Sequence, residues 1–233
     1  MAAYRDITYE TGANAVRITI NRPEVMNAFR LQTVEELIDA FQKANEERSV
    51  NAVVLAGAGD KAFCTGGDQK VHLSEDGLYG PRGTVGIPIE ELQTAIRDLR
   101  KVSIARVQGF AIGGGNVFAT LCDLTIASEK AVFGQVGPKV GSVDPGWGTA
   151  FLSRHIGEKR AREVWFLCRR YTAQQAYELG LVNRVVPHDQ LDTEVEAWAT
   201  EINQMSPTAI AIAKRSFNAD SENIRGISLL SLN

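Results

Sequence analysis

The hydrophobic positions of the chain change period several times between the two-residue repeat of a strand and the 3.6-residue repeat of a helix. Residues 16–20 alternate as a strand, and the apolar run 52–56 indicates a buried strand. Between them, residues 33–45 place apolar side chains on one helical stripe, with Thr33 in the position of an N-cap. This switching is typical of α/β proteins with crossover connections.

The same analysis predicts one domain with a helical C-terminal part. Further strands are predicted at 103–107, 124–128 and 182–186, and helices at 89–99, 114–121, 147–155, 159–168, 173–179, 191–204 and 208–218. We expect a core at residues 1–190 and a C-terminal helical region at residues 191–233. Residues 71–88 have no clear period, and because long connections in compact domains are usually functional, we expect them to cover a substrate.

Two glycine-rich segments each follow an apolar, strand-like run. They are Thr65-Gly66-Gly67-Asp68-Gln69 and Phe110-Ala111-Ile112-Gly113-Gly114-Gly115. Because glycine has no Cβ, its N–H group can approach a ligand oxygen closely. Together the segments predict an oxyanion hole, and therefore enolate or tetrahedral-oxyanion chemistry. Taken singly, each is also explained as a packing turn between a strand and a helix.

Composition favours a small-molecule enzyme of the cytoplasm. The 233 residues carry 25 basic and 28 acidic side chains, a net charge of −3, which argues against nucleic acid and membrane surfaces as partners. The three cysteines, Cys64, Cys122 and Cys168, lack metal-site spacing, so we expect buried thiols, no disulfide framework and no metal. No stretch approaches the length of a membrane span.

The order of these segments resembles the crotonase (enoyl-CoA hydratase/isomerase) superfamily over nearly the whole chain. The resemblance rests on residues 62–68, 109–115 and 122–124. It implies a spiral of ββα turns that holds an acyl-CoA, with the CoA forming part of the substrate and no further cofactor required. By position, the oxyanion donors are the N–H groups of Gly67 and Gly114. The remaining residues of the acyl-CoA site are Thr65, Gly66, Asp68, Gln69, Tyr79, Phe110, Ala111, Ile112, Gly113 and Val136.

The resemblance also carries expectations about assembly and CoA contacts. Relatives form trimers or hexamers and continue for a further helical stretch, so we expect a homotrimer or hexamer and a truncated C-terminal region. A basic residue that relatives use for CoA is replaced by Met26. Arg22, Arg30 and Lys70 are the substitutes we consider, and each is also explained as ordinary surface charge.

Two missing glutamates argue against simple hydration. Hydratases of the superfamily use two glutamates, and the matching positions hold Val117 and Gly137, which cannot move protons. Residues 135–144 instead resemble a branch shared by dihydroxynaphthoyl-CoA synthases and 2-ketocyclohexanecarboxyl-CoA hydrolases, in which Asp144 and Ser142 handle protons. Without the resemblance, Asp144 before Pro145 is best explained as a turn residue.

The two enzyme types of this branch differ in an anion pocket and a loop. The synthase pattern implies an anion or water pocket formed by Gln135, Gly137 and Trp165, and it allows a bound bicarbonate, although Trp165 is also explained as core packing. His72 and residues 80–92 resemble the hydrolase, and Tyr79 is a further acyl contact. The favoured function is hydrolytic ring opening of 2-ketocyclohexanecarboxyl-CoA to pimeloyl-CoA, with Asp144, Ser142 and His72 activating water and returning a proton to carbon. The ring-closing synthase reaction and noncatalytic acyl-CoA binding are the two alternative functions.

Overall fold

A computed structural model describes residues 4–74 and 86–230, and it contains two sheets. The larger sheet comprises β1 Ile7–Thr11, β2 Ala15–Ile20, β3 Ala52–Gly57, β5 Val102–Val107, β7 Leu124–Ser128 and β10 Arg184–Val186, in this order. The smaller sheet comprises β4 Ala62–Cys64, β6 Phe110–Ile112, β8 Val132–Gly134 and β9 Arg170–Thr172. Pairs β1–β2 and β8–β9 are antiparallel, and the other neighbours are parallel.

Helices cover both sheets and form most of the C-terminal part, as the sequence predicts. They are α1 Leu31–Glu46, α2 Gln69–Ser74, α3 Ile89–Arg97, α4 Gly114–Leu121, α5 Gly137–Val140, α6 Leu152–Ile156, α7 Glu158–Leu167, α8 Ala173–Glu178, α9 Leu191–Asn203, α10 Pro207–Asp220 and α11 Glu222–Leu230. Most lie within a few residues of their predicted positions, and α4 and β7 match theirs at both ends.

Three local predictions were wrong. The N-cap of α1 is Arg30, because the Thr33 hydroxyl lies one turn inside the helix, where it accepts from the Arg30 N–H and donates to Asp6 Oδ2 (2.6 Å). The predicted loop 71–88 begins inside α2, and its residues 75–85 lie outside the described residues, so its role as a substrate cover stays a prediction. The predicted helix at 147–155 is a π-helical turn, Trp147–Phe151, followed by α6, and it starts from Gly146 at φ 72°.

The core continues from the sheets into the C-terminal helices. β3 is buried along its whole length, and α1 buries an apolar stripe that includes Val34, Leu37 and Phe41. On the other side of the large sheet, Leu191 and Val195 of α9 join a second apolar cluster with strand residues. Residues 191–230 therefore share apolar contacts with the predicted core region. Across the described ranges, no helix combines the length and apolarity needed to cross a membrane.

Candidate active site

The smaller sheet brings the two glycine segments together. β4 and β6 are parallel neighbours, with Ala62 paired to Phe110 and Cys64 to Ala111, so both strands end at the same edge. A Cβ placed on Gly66 would lie 3.1 Å from the Gly114 nitrogen, which shows how closely the two main chains approach. Gly66 and Gly113 have φ angles of 89° and 59°, in a region that favours glycine. Glycine is therefore required where these two turns meet.

The N–H groups of Gly67 and Gly114 are unpaired within the described residues and belong to one cavity. Phe29 forms a parallel bridge with Gly67: its N–H donates to the Gly66 carbonyl (2.9 Å) and its carbonyl accepts from Asp68 (2.8 Å). This pattern turns the Gly67 N–H away from Phe29. Gly114 is the first residue of α4, where N–H groups have no partner inside the helix. Both glycines line a cavity of about 130 Å³.

Twelve of the predicted site residues line this cavity. They are Thr65, Gly66, Gly67, Gln69, Gly113, Gly114, Gln135, Val136, Gly137, Ser142, Asp144 and Trp165. Ser228 of α11 also lines it, so the C-terminal part reaches the site. Tyr79 lies outside the described residues. The backbone of His72 belongs to α2, but its side chain is outside the description.

Four predicted site residues support the cavity without lining it. The Asp68 carboxylate is buried and accepts from Arg22 (3.0 Å) and from the Lys70 N–H (3.2 Å). Phe110, Ala111 and Ile112 form β6, and only the glycines after this strand reach the cavity. These four residues lie outside the lining of the cavity, and the acyl-CoA contacts predicted for them stay predictions.

The three basic residues considered as substitutes for the missing CoA contact differ in whether an ion pair already holds them. Arg22 is buried beside Asp68 and Asp6, and Arg30 binds both carboxylate oxygens of Asp6 (2.8 and 2.7 Å). Lys70 is exposed and has no acidic partner among the residues the structure describes. Of the three cations, Lys70 is the one that forms no ion pair with the described residues.

Asp144 is the carboxyl group of this site that two N–H groups hold in place. Its Oδ1 accepts from the Gly148 N–H (3.0 Å), and its Oδ2 accepts from Gln93 Nε2 (2.7 Å). Burial raises the pKa of Asp144 to about 7, and the charge of Glu90 adds to the increase, while the two hydrogen bonds oppose it. An acid with this pKa can both accept and release a proton near neutral pH.

Sequence analysis assigned no role to two polar residues of α3 that line the cavity, Glu90 and Gln93. Both lie on α3, three positions apart and therefore on one face of the helix, and both line the cavity with Asp144. Gln93 is almost fully buried, although its residue type is usually exposed. The sequence does show Gln93 as a polar residue at an apolar position of an otherwise amphipathic helix. It does not show that Asp144 is the hydrogen-bond partner of Gln93.

The structure explains why position 137 holds no glutamate. A Cβ on Gly137 would lie 2.2 Å from the Ser142 carbonyl oxygen and 2.9 Å from Trp165 Cζ3, so any larger residue must displace its neighbours. Val117, at the other hydratase position, is buried on α4. Neither position of the hydratase pair can therefore supply a carboxyl group.

The predicted anion pocket does not fit bicarbonate as it stands. The Gln135 side chain is buried at the cavity, but the Trp165 indole N–H donates to the Gly148 carbonyl and is already used. The carbonyl oxygen of Ser142 also lies close to Gly137, where it would repel an anion. Trp165 instead donates to the carbonyl oxygen of Gly148, and the N–H group of the same residue donates to Asp144 Oδ1.

Comparison with known proteins shows the family to which the chain belongs. The family model described as enoyl-CoA hydratase/isomerase matches residues 10–232. An enoyl-CoA hydratase/isomerase from Xanthobacter autotrophicus Py2 is 33% identical with a TM-score of 0.85, and the match covers 99% of this chain and 84% of that one. An enoyl-CoA hydratase/carnithine racemase from Magnetospirillum magneticum is 30% identical with a TM-score of 0.84, covering 94% and 81%.

An enoyl-CoA hydratase from Bacillus anthracis is 29% identical over 97% of this chain and 92% of that one, with a TM-score of 0.82. The matches extend over both sheets and the C-terminal helices, and they agree with the crotonase fold that the resemblance implies. The chain belongs to the enoyl-CoA hydratase/isomerase family of the crotonase superfamily, whose members usually act on acyl-CoA thioesters.

Proposed function

We propose that the protein catalyses the hydrolytic ring opening of a cyclic β-keto acyl-CoA, such as 2-ketocyclohexanecarboxyl-CoA, to a dicarboxylic acyl-CoA such as pimeloyl-CoA. The observation that carries the proposal is the position of Asp144: it shares one cavity with the N–H groups of Gly67 and Gly114, whereas the hydratase positions hold Val117 and Gly137. The site thus combines donors for an enolate oxygen with a carboxyl group that is hydrogen-bonded on both oxygens, and neither of the two hydratase positions carries a carboxyl group.

The reaction uses these groups in sequence. The thioester oxygen accepts hydrogen bonds from the Gly67 and Gly114 N–H groups, and a water oxygen adds to the ring ketone carbon. The tetrahedral adduct then collapses to a carboxylic acid and breaks its bond to the α-carbon. The electron pair of that bond becomes a thioester enolate, which the same N–H groups stabilise. The site takes one proton from the water as it adds, and Asp144 donates one proton to the α-carbon, so the protons balance; Ser142 and His72 are the predicted helpers in these transfers.

The engaged indole of Trp165 favours ring opening over the ring-closing synthase reaction. The synthase pattern uses a bicarbonate pocket, and the Trp165 N–H that would line it donates to Gly148 instead. The proposed hydrolysis takes water as its only co-reactant. Noncatalytic acyl-CoA binding would require Asp144 to serve structure alone, although both of its oxygens are held at the edge of the cavity.

The test is incubation of the protein with 2-ketocyclohexanecarboxyl-CoA and detection of pimeloyl-CoA by mass spectrometry. We expect the substrate to gain one water. Asp144→Asn should lower kcat by about 100-fold or more, in the range of general acid–base catalysis, while the variant still binds the CoA ester. Conversion of succinylbenzoyl-CoA to a naphthoyl product would support the synthase instead, and tight binding without turnover of either ester would support the binding protein.

A further inference from the structure

Helix α3 places a second carboxyl group in the cavity beside Asp144. Glu90 lies one turn before Gln93, on the same face of the helix, and Gln93 donates directly to Asp144. Glu90 lines the same cavity as Asp144, and its charge acts on the Asp144 carboxyl. The side chain is half-buried and forms no hydrogen bond or ion pair with any described residue. A carboxylate in this position is available to a substrate or to water.

The two carboxyl groups have different surroundings. Asp144 accepts one N–H group on each oxygen, whereas Glu90 lies near the start of its helix with its oxygens unengaged by described residues. Paired carboxyl groups in unequal environments commonly divide the roles of acid and base between them. Ring opening needs both roles, because water must lose a proton and the α-carbon must gain one.

We propose that Glu90 is a catalytic residue that takes a proton from the attacking water, while Asp144 gives its own proton to the α-carbon. The inference rests on the proposed ring-opening function and adds a division of labour to it. Gln93 is then a positioning residue that holds Asp144 toward the substrate, and it does not touch the reacting atoms.

The atoms balance without a co-reactant other than water. The water oxygen bonds to the ring ketone carbon, and one water proton moves to Glu90. The bond between the ketone carbon and the α-carbon breaks, and its electron pair is protonated by Asp144. The cycle closes when Glu90 returns its proton to Asp144 through the cavity or through solvent. The new carboxylic acid ionises in water.

Two measurements on Glu90→Gln test the division. The first is ring opening of 2-ketocyclohexanecarboxyl-CoA, and the second is exchange of the α-hydrogens of pimeloyl-CoA in D2O, which needs Asp144 but no attacking water. We expect Glu90→Gln to lower kcat for ring opening by about 100-fold, a typical size for a lost general base. Exchange should stay close to the wild-type rate, whereas Asp144→Asn should lose both activities.

Glu91→Gln is the matched control. Glu91 lies in the same first turn of α3 as Glu90 but does not line the cavity. Glu91→Gln removes the same charge from the helix, so it shows how much of the effect of Glu90→Gln comes from the helix alone. We expect both of its activities to stay close to wild type. Glu90→Asp, which keeps a carboxylate on a shorter stem, should recover part of the ring opening.

The outcomes separate this inference from the function on which it rests. If wild-type protein opens the ring and Glu90→Gln opens it as fast as Glu91→Gln, Glu90 has no catalytic role and only the inference fails. Loss of exchange as well as opening in Glu90→Gln, with an unchanged circular dichroism spectrum, would equally overturn the division of roles. A wild-type protein that exchanges α-hydrogens without opening the ring would reject the proposed function, and the water-activating role of Glu90 with it.

Discussion

The cavity is built from two unlike parts, a glycine rim (Gly66, Gly67, Gly113 and Gly114) and a carboxyl cluster (Glu90, Gln93 and Asp144). The rim consists of main-chain atoms fixed by two parallel strands and the start of α4. The cluster consists of side chains that come from α3 and from the segment before the π-helical turn. Main-chain N–H groups do not titrate and can stabilise any thioester oxygen. The carboxyl cluster can titrate, and it is therefore the part of the site that selects the reaction.

The largest effect is expected from a change to the glycine rim. In Gly114→Ala, the new Cβ would lie 2.6 Å from Cε1 and 2.8 Å from Cζ of Phe29. Phe29 is buried and packs on Phe118 with ring centroids 5.2 Å apart, so the main chain of residue 114 must shift instead. We expect kcat/KM for any thioester substrate to fall by about 100- to 1000-fold, the usual cost of one lost oxyanion donor.

The control for this variant is Gly226→Ala on α11, where a Cβ would meet nothing within 4 Å. It should leave kcat/KM unchanged and stabilise the protein slightly, because alanine favours the helix over glycine. Near-ultraviolet circular dichroism checks that Gly114→Ala keeps its core packing. Full activity of a correctly folded Gly114→Ala would show that the Gly114 N–H is not an oxyanion donor.

The rim could be predicted from sequence, and the carboxyl cluster only in part. A glycine that must approach another main chain leaves its mark in the sequence, because no other residue fits. Gly66 and Gly114 were found in this way, although the short strands that lead into them, β4 and β6, were not. Asp144 was assigned through the resemblance to a family branch, since its residue type alone also explains a turn.

Gln93 and Glu90 could not be predicted, for a physical reason. Periodicity separates the buried face of a helix from its exposed face, but it does not tell which polar residue at their border meets a second element. The contact of Gln93 with Asp144 joins segments 51 positions apart in the chain. The smaller sheet was missed for a related reason: its strands of three residues, such as β6 and β8, are too short to show a period.

An intermediate effect is expected at the hydratase position Gly137, which lies beside Ser142 and Trp165. In Gly137→Ala, the Cβ would overlap the Ser142 carbonyl oxygen at 2.2 Å. Overpacking of this kind typically costs about 1–3 kcal/mol of the free energy of unfolding, and in a chain of this size each kcal/mol lowers Tm by about 2–4 °C. Thermal unfolding of Gly137→Ala, with Gly226→Ala as the control, measures the change in Tm. An unchanged Tm would mean that residue 142 moves aside easily and that position 137 has room for a glutamate.

The smallest effect, and the sharpest test of the carboxyl cluster, is expected from Gln93→Leu. The Gln93 hydrogen bond lowers the pKa of Asp144, which stands at about 7, so its removal should raise that pKa further. If Asp144 acts as the acid, kcat falls as pH rises through the pKa, and in Gln93→Leu this fall moves to higher pH. We also expect kcat at its optimum to drop by about 10-fold, because Asp144 keeps only the Gly148 hydrogen bond, a loss of the size of a hydrogen bond to a charged group.

A pH–rate profile of kcat measures both effects, with Glu91→Gln as the control. A wild-type kcat that rises with pH near 7 would instead make Asp144 the base, and the roles of Asp144 and Glu90 would be reversed.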